Sequence, residues 1–368
     1  MITASPVALT YSELHRELHR TAAAYVQPLN GTFEITTRCN LACRMCFVRE
    51  PAGGRDKRNA ELTAHQWLRL GKEAVDSGML FLLITGGEVF LRPDFFDIYL
   101  PLTRLGLVVT IFSNGTLINA DIAERLASSP PASIEVTLYG ATESTYESVT
   151  GVRGSYRRCL AGIDLLLKHD LRMAVRTTLT NDNVAELDAM TRLAATEWGL
   201  TLGAGWQLTP RRDGSSSDIA TQRLSVAECI NLEAASLESP EGNTEFIHER
   251  SSGGTRLFQC YAGRAGFAIT GAGEMNACLE LPLPAAQPLK TGFGQAWNEV
   301  NDFVESAPPP ADSCVKCDAK PLCSLCPAWS MAEVGSLQKP VPHLCRLAFA
   351  RAARFGPVGR LSSQIERS

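Results

Sequence analysis

No apolar run in this sequence reaches the roughly eighteen residues of a membrane span. The opening Met1-Ile2-Thr3-Ala4-Ser5-Pro6 lacks the basic-then-apolar layout of a secretion signal. Both absences predict a cytoplasmic protein without a membrane partner. A basic excess is missing as well: 35 Lys and Arg face 39 Asp and Glu, a formal net charge of -4, which argues against a nucleic-acid partner. The six histidines show no metal-ligand spacing, and there is no internal repeat. Cysteine, by contrast, is plentiful. Three of the twelve sit at 39, 43 and 46 and seven at 260, 278, 314, 317, 323, 326 and 345, leaving only Cys159 and Cys229 apart. Thiols clustered this way without a secretion signal read as metal or iron–sulfur ligands, not disulfides.

At 368 residues and 45% hydrophobic content, one large domain plus a smaller one is expected. A short amphipathic helix pattern runs from Ser12 to Tyr25 and is ended by Pro28. Six strand-like runs follow: Thr32 to Thr36, Leu80 to Thr85, Leu107 to Phe112, Ser133 to Leu138, Arg172 to Leu179 and Thr201 to Gln207. Helix signals alternate with them. Thr63 with Gln66 forms a capping box, Pro93 opens a helix, Asn119, Ser155 and Asn183 are N-cap residues, and Ser225 pairs with Glu228. Such alternation predicts an α/β protein with a parallel sheet and right-handed crossovers, a partial (β/α)6 TIM-like barrel whose working groups lie at the C-terminal strand ends. Expected boundaries are a helical extension over 1–30, the barrel over 31–238, a linker over 239–257 and a small irregular C-terminal domain over 258–368. The last holds a hairpin, Phe267 to Ile269 with Met275 to Ala277, and a closing helix, His343 to Arg354. It offers no sizeable apolar core, so metal clusters are expected to supply much of its folding free energy.

Cys39, Cys43 and Cys46 are spaced C-x3-C-x2-C directly after the first strand. Three thiolates at that spacing can wrap one face of an iron–sulfur cluster and leave a fourth iron without a protein ligand, because the next cysteine is Cys159. Thr85-Gly86-Gly87-Glu88 ends the second strand, where the glycines let backbone approach a ligand and the carboxylate can accept from an ammonium group. Ser113-Asn114-Gly115 ends the third strand, Thr137-Leu138-Tyr139-Gly140 the fourth, and Arg176 lies on the fifth. Taken singly these are a partial zinc site, ordinary turns and a structural ion-pair partner; in order at successive strand ends they are far more specific. The C-terminal cysteines run C-x12-G-x4-C, then C-x2-C-x5-C-x2-C, then Cys345. Zinc knuckles are the alternative there, although seven thiols suit two four-ligand zinc sites poorly.

The triplet followed by (β/α) units resembles the radical SAM enzyme family, and the C-terminal pattern resembles its SPASM extension, which carries two auxiliary four-iron clusters. The resemblance implies a [4Fe-4S] cluster on Cys39, Cys43 and Cys46 that binds S-adenosylmethionine, with cofactor contacts at Met45, Gly86, Gly87, Glu88, Ser113, Asn114, Thr137 and Arg176. It also implies auxiliary clusters on Cys260, Cys278 and Cys326, and on Cys314, Cys317, Cys323 and Cys345, three [4Fe-4S] clusters in all. The chain departs from the family pattern at Val89 (proline in many relatives), Met45 (usually aromatic, with Phe47 next to it), Tyr139 (an acid) and Thr150 (often arginine). Where some relatives add an upstream cysteine stands Gly254, so the inner auxiliary cluster has an open iron or another ligand. Cys229 is the alternative ligand, read first as a helix residue, and Cys159 is read as core.

By the same resemblance the enzyme cleaves S-adenosylmethionine reductively and abstracts hydrogen from a substrate, most often a ribosomally synthesised peptide that is oxidised or cross-linked. Alternatives are a small-molecule dehydrogenase or epimerase of a natural-product pathway, and a non-catalytic iron–sulfur electron carrier. Expected partners are the peptide or small-molecule substrate and a flavodoxin- or ferredoxin-type donor. The opening thirty residues are too few for a leader-binding domain, so a separate leader-peptide-binding protein joins that list. Cys278 is followed by Leu279 and Glu280, not by the acid of sulfatase-maturing relatives, which counts against that activity. The run Arg49 to Arg58 is read as a solvated loop, with contact to an acidic precursor as the alternative.

Overall fold

A computed structural model describes residues 10–48, 50–51, 61–212, 219–238 and 256–356. Residues 239–255 of the linker expected over 239–257, Gly254 among them, and most of the Arg49 to Arg58 loop lie outside the described residues.

Eight strands form one sheet: β1 (Asn30–Thr36), β2 (Phe81–Gly86), β3 (Val108–Ser113), β4 (Ser133–Thr137), β5 (Met173–Thr178), β6 (Leu202–Gly205), β7 (Gly266–Ile269) and β8 (Met275–Asn276). Their spatial order is β8-β7-β1-β2-β3-β4-β5-β6, parallel throughout except for the β7–β8 hairpin. Side chains alternate between the faces of a strand. One face, carrying Phe33, Ile35, Leu82, Ile84, Val109, Ile111, Ile134, Val136 and Val175, is buried in the core against helix residues such as Trp67, Leu70, Tyr99, Leu126, Ile163 and Ala194. The alternate positions carry Glu34, Thr85, Phe112, Glu135 and Arg176, and Phe112 remains 40% exposed. A sheet that is apolar on one side and polar on the other leaves the second side for a site.

The crossover helices start where their side chains can satisfy orphan N–H groups. Thr63 and Gln66 close the capping box of α2 (Ala64–Asp76), as Thr10 and Glu13 do for α1 (Tyr11–Ala24). The helices α3 (Phe95–Thr103), α4 (Ala120–Ser128), α5 (Glu143–Thr150), α6 (Ser155–Lys168), α7 (Leu187–Trp198) and α8 (Val226–Glu238) follow, with Asn119 capping α4. Two expected caps are corrected. Ser155 is the first residue inside α6, behind Gly154, and its hydroxyl pairs with that of Thr150 at 2.8 Å. Asn183 stands at the N-cap of a short 3-10 turn, Val184–Glu186, but its side chain makes no cap bond: its amide accepts from the Thr180 N–H at 2.8 Å and donates to the Thr178 and Tyr139 carbonyls at 3.1 and 3.2 Å, tying strand ends together.

The C-terminal segment departs further from expectation. Its hairpin extends the barrel sheet, with Asn30 opposite Gly266 and Phe33 opposite Ile269. A helix with no forecast, α9 (Phe293–Glu305), buries Phe293, Ala296, Trp297, Val300 and Val304. Phe267 meets Phe293 and Trp297 edge to face at 5.2 and 6.1 Å, and the Trp297 indole donates to the Val26 carbonyl at 2.8 Å. The segment thus shares the barrel's core, and the expectation that it lacks apolar packing is corrected; its apolar residues are spread over a helix and a hairpin that bury them against α2 and β1. Two further helices, α10 (Pro327–Val334) and α11 (Pro342–Phe355), close the chain, and Arg351 of α11 forms a buried pair with Glu233 of α8 at 2.6 Å. Among the described residues no helix is long and apolar enough to cross a membrane. Phe267→Ala should lower unfolding free energy by about 3–5 kcal/mol, read by denaturant titration of tryptophan fluorescence; an unchanged midpoint would show the hairpin to be independent of the barrel core.

Candidate functional site

The site is built where β1 runs into the cysteine loop. The Gly87 N–H donates to the Thr36 carbonyl at 2.7 Å and the Glu88 N–H to the Arg38 carbonyl at 2.9 Å. A Cβ on Gly86 would stand 2.3 Å from the Thr36 oxygen, and one on Gly87 2.3 Å from the Arg38 oxygen. Both glycines are therefore required by the close approach of two backbones, beside any role toward a ligand. Arg38 is locked in turn by two 2.9 Å bonds to the Glu61 carboxylate.

Glu88 is buried and its carboxylate turns to the next strand. It accepts from the Ser113 hydroxyl at 2.9 and 3.1 Å, from the Asn114 N–H at 2.7 Å and from the Phe90 N–H at 3.1 Å. Burial raises it to about 7, against the pull of those donors. The Asn114 amide carries the chain of contacts to the loop. It donates to Asn40 Oδ1 at 2.9 Å and reaches Cys39 Sγ at 3.7 Å, while Asn114 Oδ1 accepts from the Thr116 N–H and hydroxyl at 2.9 and 2.6 Å. Asn40 donates to the Thr116 hydroxyl at 2.8 Å, and the Ala42 N–H donates to the Thr150 carbonyl at 2.7 Å. Asn40 and Thr116 complete the bonds that hold the loop and were not singled out by motif; their only signal was a place inside the triplet and one directly after Ser-Asn-Gly.

The three thiols converge. Burial raises Cys39 to about 11, and Glu88 and Cys46 add to the rise. Tyr139 stands next to the group: its phenol is held neutral by burial and then by Cys43, Cys46 and Cys39. Cys43 and Met45 are buried with Leu41, Val149 and Leu208. Among the described residues no three His, Cys, Asp or Glu side chains close around the position of a single ion. Sulfur-only donors in an apolar wall, with the Leu41 N–H donating to Cys39 Sγ at 3.4 Å, fit an iron–sulfur cluster better than one zinc ion. Gly86, Gly87, Glu88, Ser113 and Asn114 form one bonded set with this loop. Thr137 borders Tyr139, whereas Arg176 lies further along, paired with Glu135.

The C-terminal thiols fall into two groups. Burial pushes Cys278 up to about 12, with Glu280, Cys326 and Cys260 adding, and Cys326 to about 11, with Glu280 and Cys260 adding. Burial likewise raises Cys323 to about 11, with Cys345, Cys314 and Cys317 adding. In the triplet, the backbone N–H of Leu41, two residues on, donates to the Cys39 thiol. Such donors stabilise thiolates bound to iron. Cys229 belongs to neither group and faces Glu233 and Arg351; Cys159 is fully buried in the core. Arg212 connects the triplet loop with the loop that carries Cys278. Its N–H donates to the carbonyl of Phe47, one residue past Cys46, and its guanidinium donates to the Leu279 carbonyl at 3.0 Å and to Glu34 of β1.

A parallel sheet bearing a cysteine triplet, a Gly-Gly-Glu clamp and a Ser-Asn-Gly turn at successive strand ends defines an S-adenosylmethionine radical enzyme. Residues 33–194 match the Radical SAM superfamily. It is 26% identical over 337 residues to an AdoMet-dependent heme synthase of Methanosarcina barkeri (84% of this chain, 94% of that one). It is 28% identical over 305 residues to the mycofactocin maturase MftC of Mycobacterium ulcerans (79% and 80%). Streptococcus suis SuiB bound to precursor peptide SuiA shares the fold, with a TM-score of 0.67 at 16% identity over 94% of this chain and 84% of that one.

Gly87→Ala should displace the cysteine loop, so that anaerobic reconstitution yields at least about ten-fold weaker S-adenosylmethionine binding; wild-type affinity would show that the backbone contact is dispensable. Glu88 makes a pH-dependent contribution. Its native value of about 7 lies above the ordinary 4.5, so its stabilising share is complete below pH 4.5 and lost as pH rises through about 7. The unfolding free energy of the metal-free wild type relative to Glu88→Gln should fall across that window, and a flat difference would contradict the burial argument.

Proposed function

We propose that this chain is a SPASM-type radical SAM enzyme that oxidises or cross-links a ribosomally synthesised peptide. The observation that carries the reading is the Arg212 bridge, which sets the triplet loop and the Cys278 loop at two sides of one polar sheet face. That face offers Thr85, Glu135 and Arg176 together with an exposed Phe112, a lining for a substrate with both polar and apolar groups. The likeness to a mycofactocin maturase over 79% of the chain, and to the fold of SuiB bound to precursor peptide SuiA, supports a peptide.

Cys39, Cys43 and Cys46 would hold the first cluster, Cys260, Cys278 and Cys326 the inner auxiliary cluster, and Cys314, Cys317, Cys323 and Cys345 the outer one. When bound there, the first cluster and S-adenosylmethionine would supply hydrogen-atom abstraction from the substrate, and the auxiliary clusters would supply electron acceptors. The chain's own residues bind and orient. Glu88, Ser113 and Asn114 hold the strand ends in register with the loop, Gly86 and Gly87 admit the cofactor's methionine end to backbone, and Met45 and Thr137 border its nucleoside. Arg176 is the cation within reach of a carboxylate, in exchange with Glu135. Electrons come from a flavodoxin- or ferredoxin-type protein, and a separate protein presents the peptide's leader.

A small molecule is the second reading, favoured by the likeness to an AdoMet-dependent heme synthase over 84% of the chain. Anaerobic turnover with candidate precursor peptides and with small molecules, read by mass spectrometry, separates the two. Loss of two hydrogens from a peptide is expected. Change in a small molecule alone would overturn the peptide reading.

A further inference from the structure

The apolar wall of the cysteine triplet includes Leu208, which lies beyond β6 and is buried with Leu41, Cys43, Met45 and Val149; Ile219 packs against the same group. The Leu208 carbonyl is held by a side chain from the next segment, where Arg223 Nη2 donates to it at 2.6 Å. Arg223 follows a single turn of helix, Ile219–Gln222, and its own N–H donates to the Ile219 carbonyl at 3.0 Å. The rest of its guanidinium is taken up by α10. Nη1 donates to one oxygen of Glu333 at 3.0 Å and Nη2 to the other, while the guanidinium carbon stands 5.0 Å from the centroid of the Trp329 ring. The pair is enclosed, its side chains 8% and 16% exposed. A second tie runs from the triplet to the same turn of helix. Arg44, between Cys43 and Met45, pairs with Asp182 at 3.1 Å, and the neighbouring Asn181 donates from its N–H and its amide to the Gln222 and Thr221 carbonyls at 2.9 and 2.8 Å.

We infer that Arg223 is a positioning residue for the cofactor site: anchored to α10 by Glu333 and Trp329, it fixes Leu208 in the wall beside Met45, so that the C-terminal helices shape the place where S-adenosylmethionine binds. The inference rests on the reading above in which Met45 borders the cofactor's nucleoside. A planar fork can serve a carboxylate and a carbonyl at once, which a lysine ammonium on a flexible stem does less well. Removing Glu333 would leave an enclosed guanidinium without its counter-charge, and the side chain would turn toward water and release Leu208. The path is an unbroken run of contacts from α10 through Arg223 to Leu208 and the triplet wall, the kind of packed network that carries coupling between sites. Because α10 starts directly behind Cys326, docking of the C-terminal thiol region and affinity for the cofactor become linked.

The test uses the full chain, anaerobically reconstituted, with S-adenosylmethionine as the probe, its binding read by equilibrium dialysis beside an iron count. Glu333→Ala changes no residue of the triplet loop or its wall, so a purely local role for the pair leaves cofactor affinity unmoved. The expected result is binding weakened by about five-fold or more at wild-type iron content. Arg223→Ala should weaken it at least as much, and the double variant no further than Arg223→Ala alone, since both act through one contact. Wild-type affinity in Glu333→Ala overturns the inference, and so do additive losses in the double variant. If the alanine variants lose iron, Arg223→Lys decides, because it keeps the charge beside Glu333 and loses the fork: weakened binding at wild-type iron content supports the assignment and wild-type affinity overturns it. A wild type that holds its iron yet binds no S-adenosylmethionine overturns the cofactor reading itself, at an earlier step.

Discussion

The contact on which the site depends is between two stretches of backbone, where Gly86 and Gly87 lie against the carbonyls of Thr36 and Arg38. Two hydrogen bonds worth about 1 kcal/mol each cross that contact, but its larger effect is steric, because a single Cβ on either glycine would force the strand ends apart. With the approach made, β1 can deliver Cys39 beside Asn114, and Glu88 can be swallowed whole and spend its carboxylate on Ser113, Asn114 and Phe90. The triplet loop is then held from three directions: by Asn114 and Thr116 through Asn40, by the carbonyl of Thr150 through Ala42, and by Arg38 through Glu61. Chemistry that needs three thiolates at one face of a cluster starts from this rigidity.

The C-terminal thiols share that frame instead of hanging from it. β7 pairs with β1, so the segment carrying Cys260 and Cys278 is continuous with the strand that leads to Cys39. Phe267, Phe293 and Trp297 bury their area in the common core, and Arg212 crosses from Phe47 to Leu279. Distance and orientation between the two thiol regions are therefore set by packed sheet and core, not by a flexible linker, which suits electron transfer between fixed centres.

All six barrel strands were legible within about two residues, because Val, Ile and Leu runs such as Val108–Ser113 and Met173–Thr178 alternate with capped helices and carry a local signal. The triplet, Gly-Gly-Glu and Ser-Asn-Gly were legible for the same reason: each is short and contiguous. What escaped was non-local. The helix Phe293–Glu305 opens behind Gly292 with no side-chain cap, and its apolar face has meaning only once α2 and β7 are in place. Asn183 looked like a cap because Glu186 follows it, but the carbonyls of Tyr139 and Thr178 compete for its amide. Glu280 carried no motif at all; only the fold brings it to the Trp329 indole, three residues past Cys326.

The central claim, that the triplet supports radical chemistry on S-adenosylmethionine, meets its most direct test in one assay. The anaerobically reconstituted full chain is incubated with S-adenosylmethionine and a strong reductant, and 5'-deoxyadenosine is quantified beside the Cys39→Ala, Cys43→Ala, Cys46→Ala protein. Formation of 5'-deoxyadenosine by the wild type, abolished in the triple variant, is the predicted result. A wild-type protein that binds iron and sulfide yet releases none would be an electron carrier, and would contradict the account.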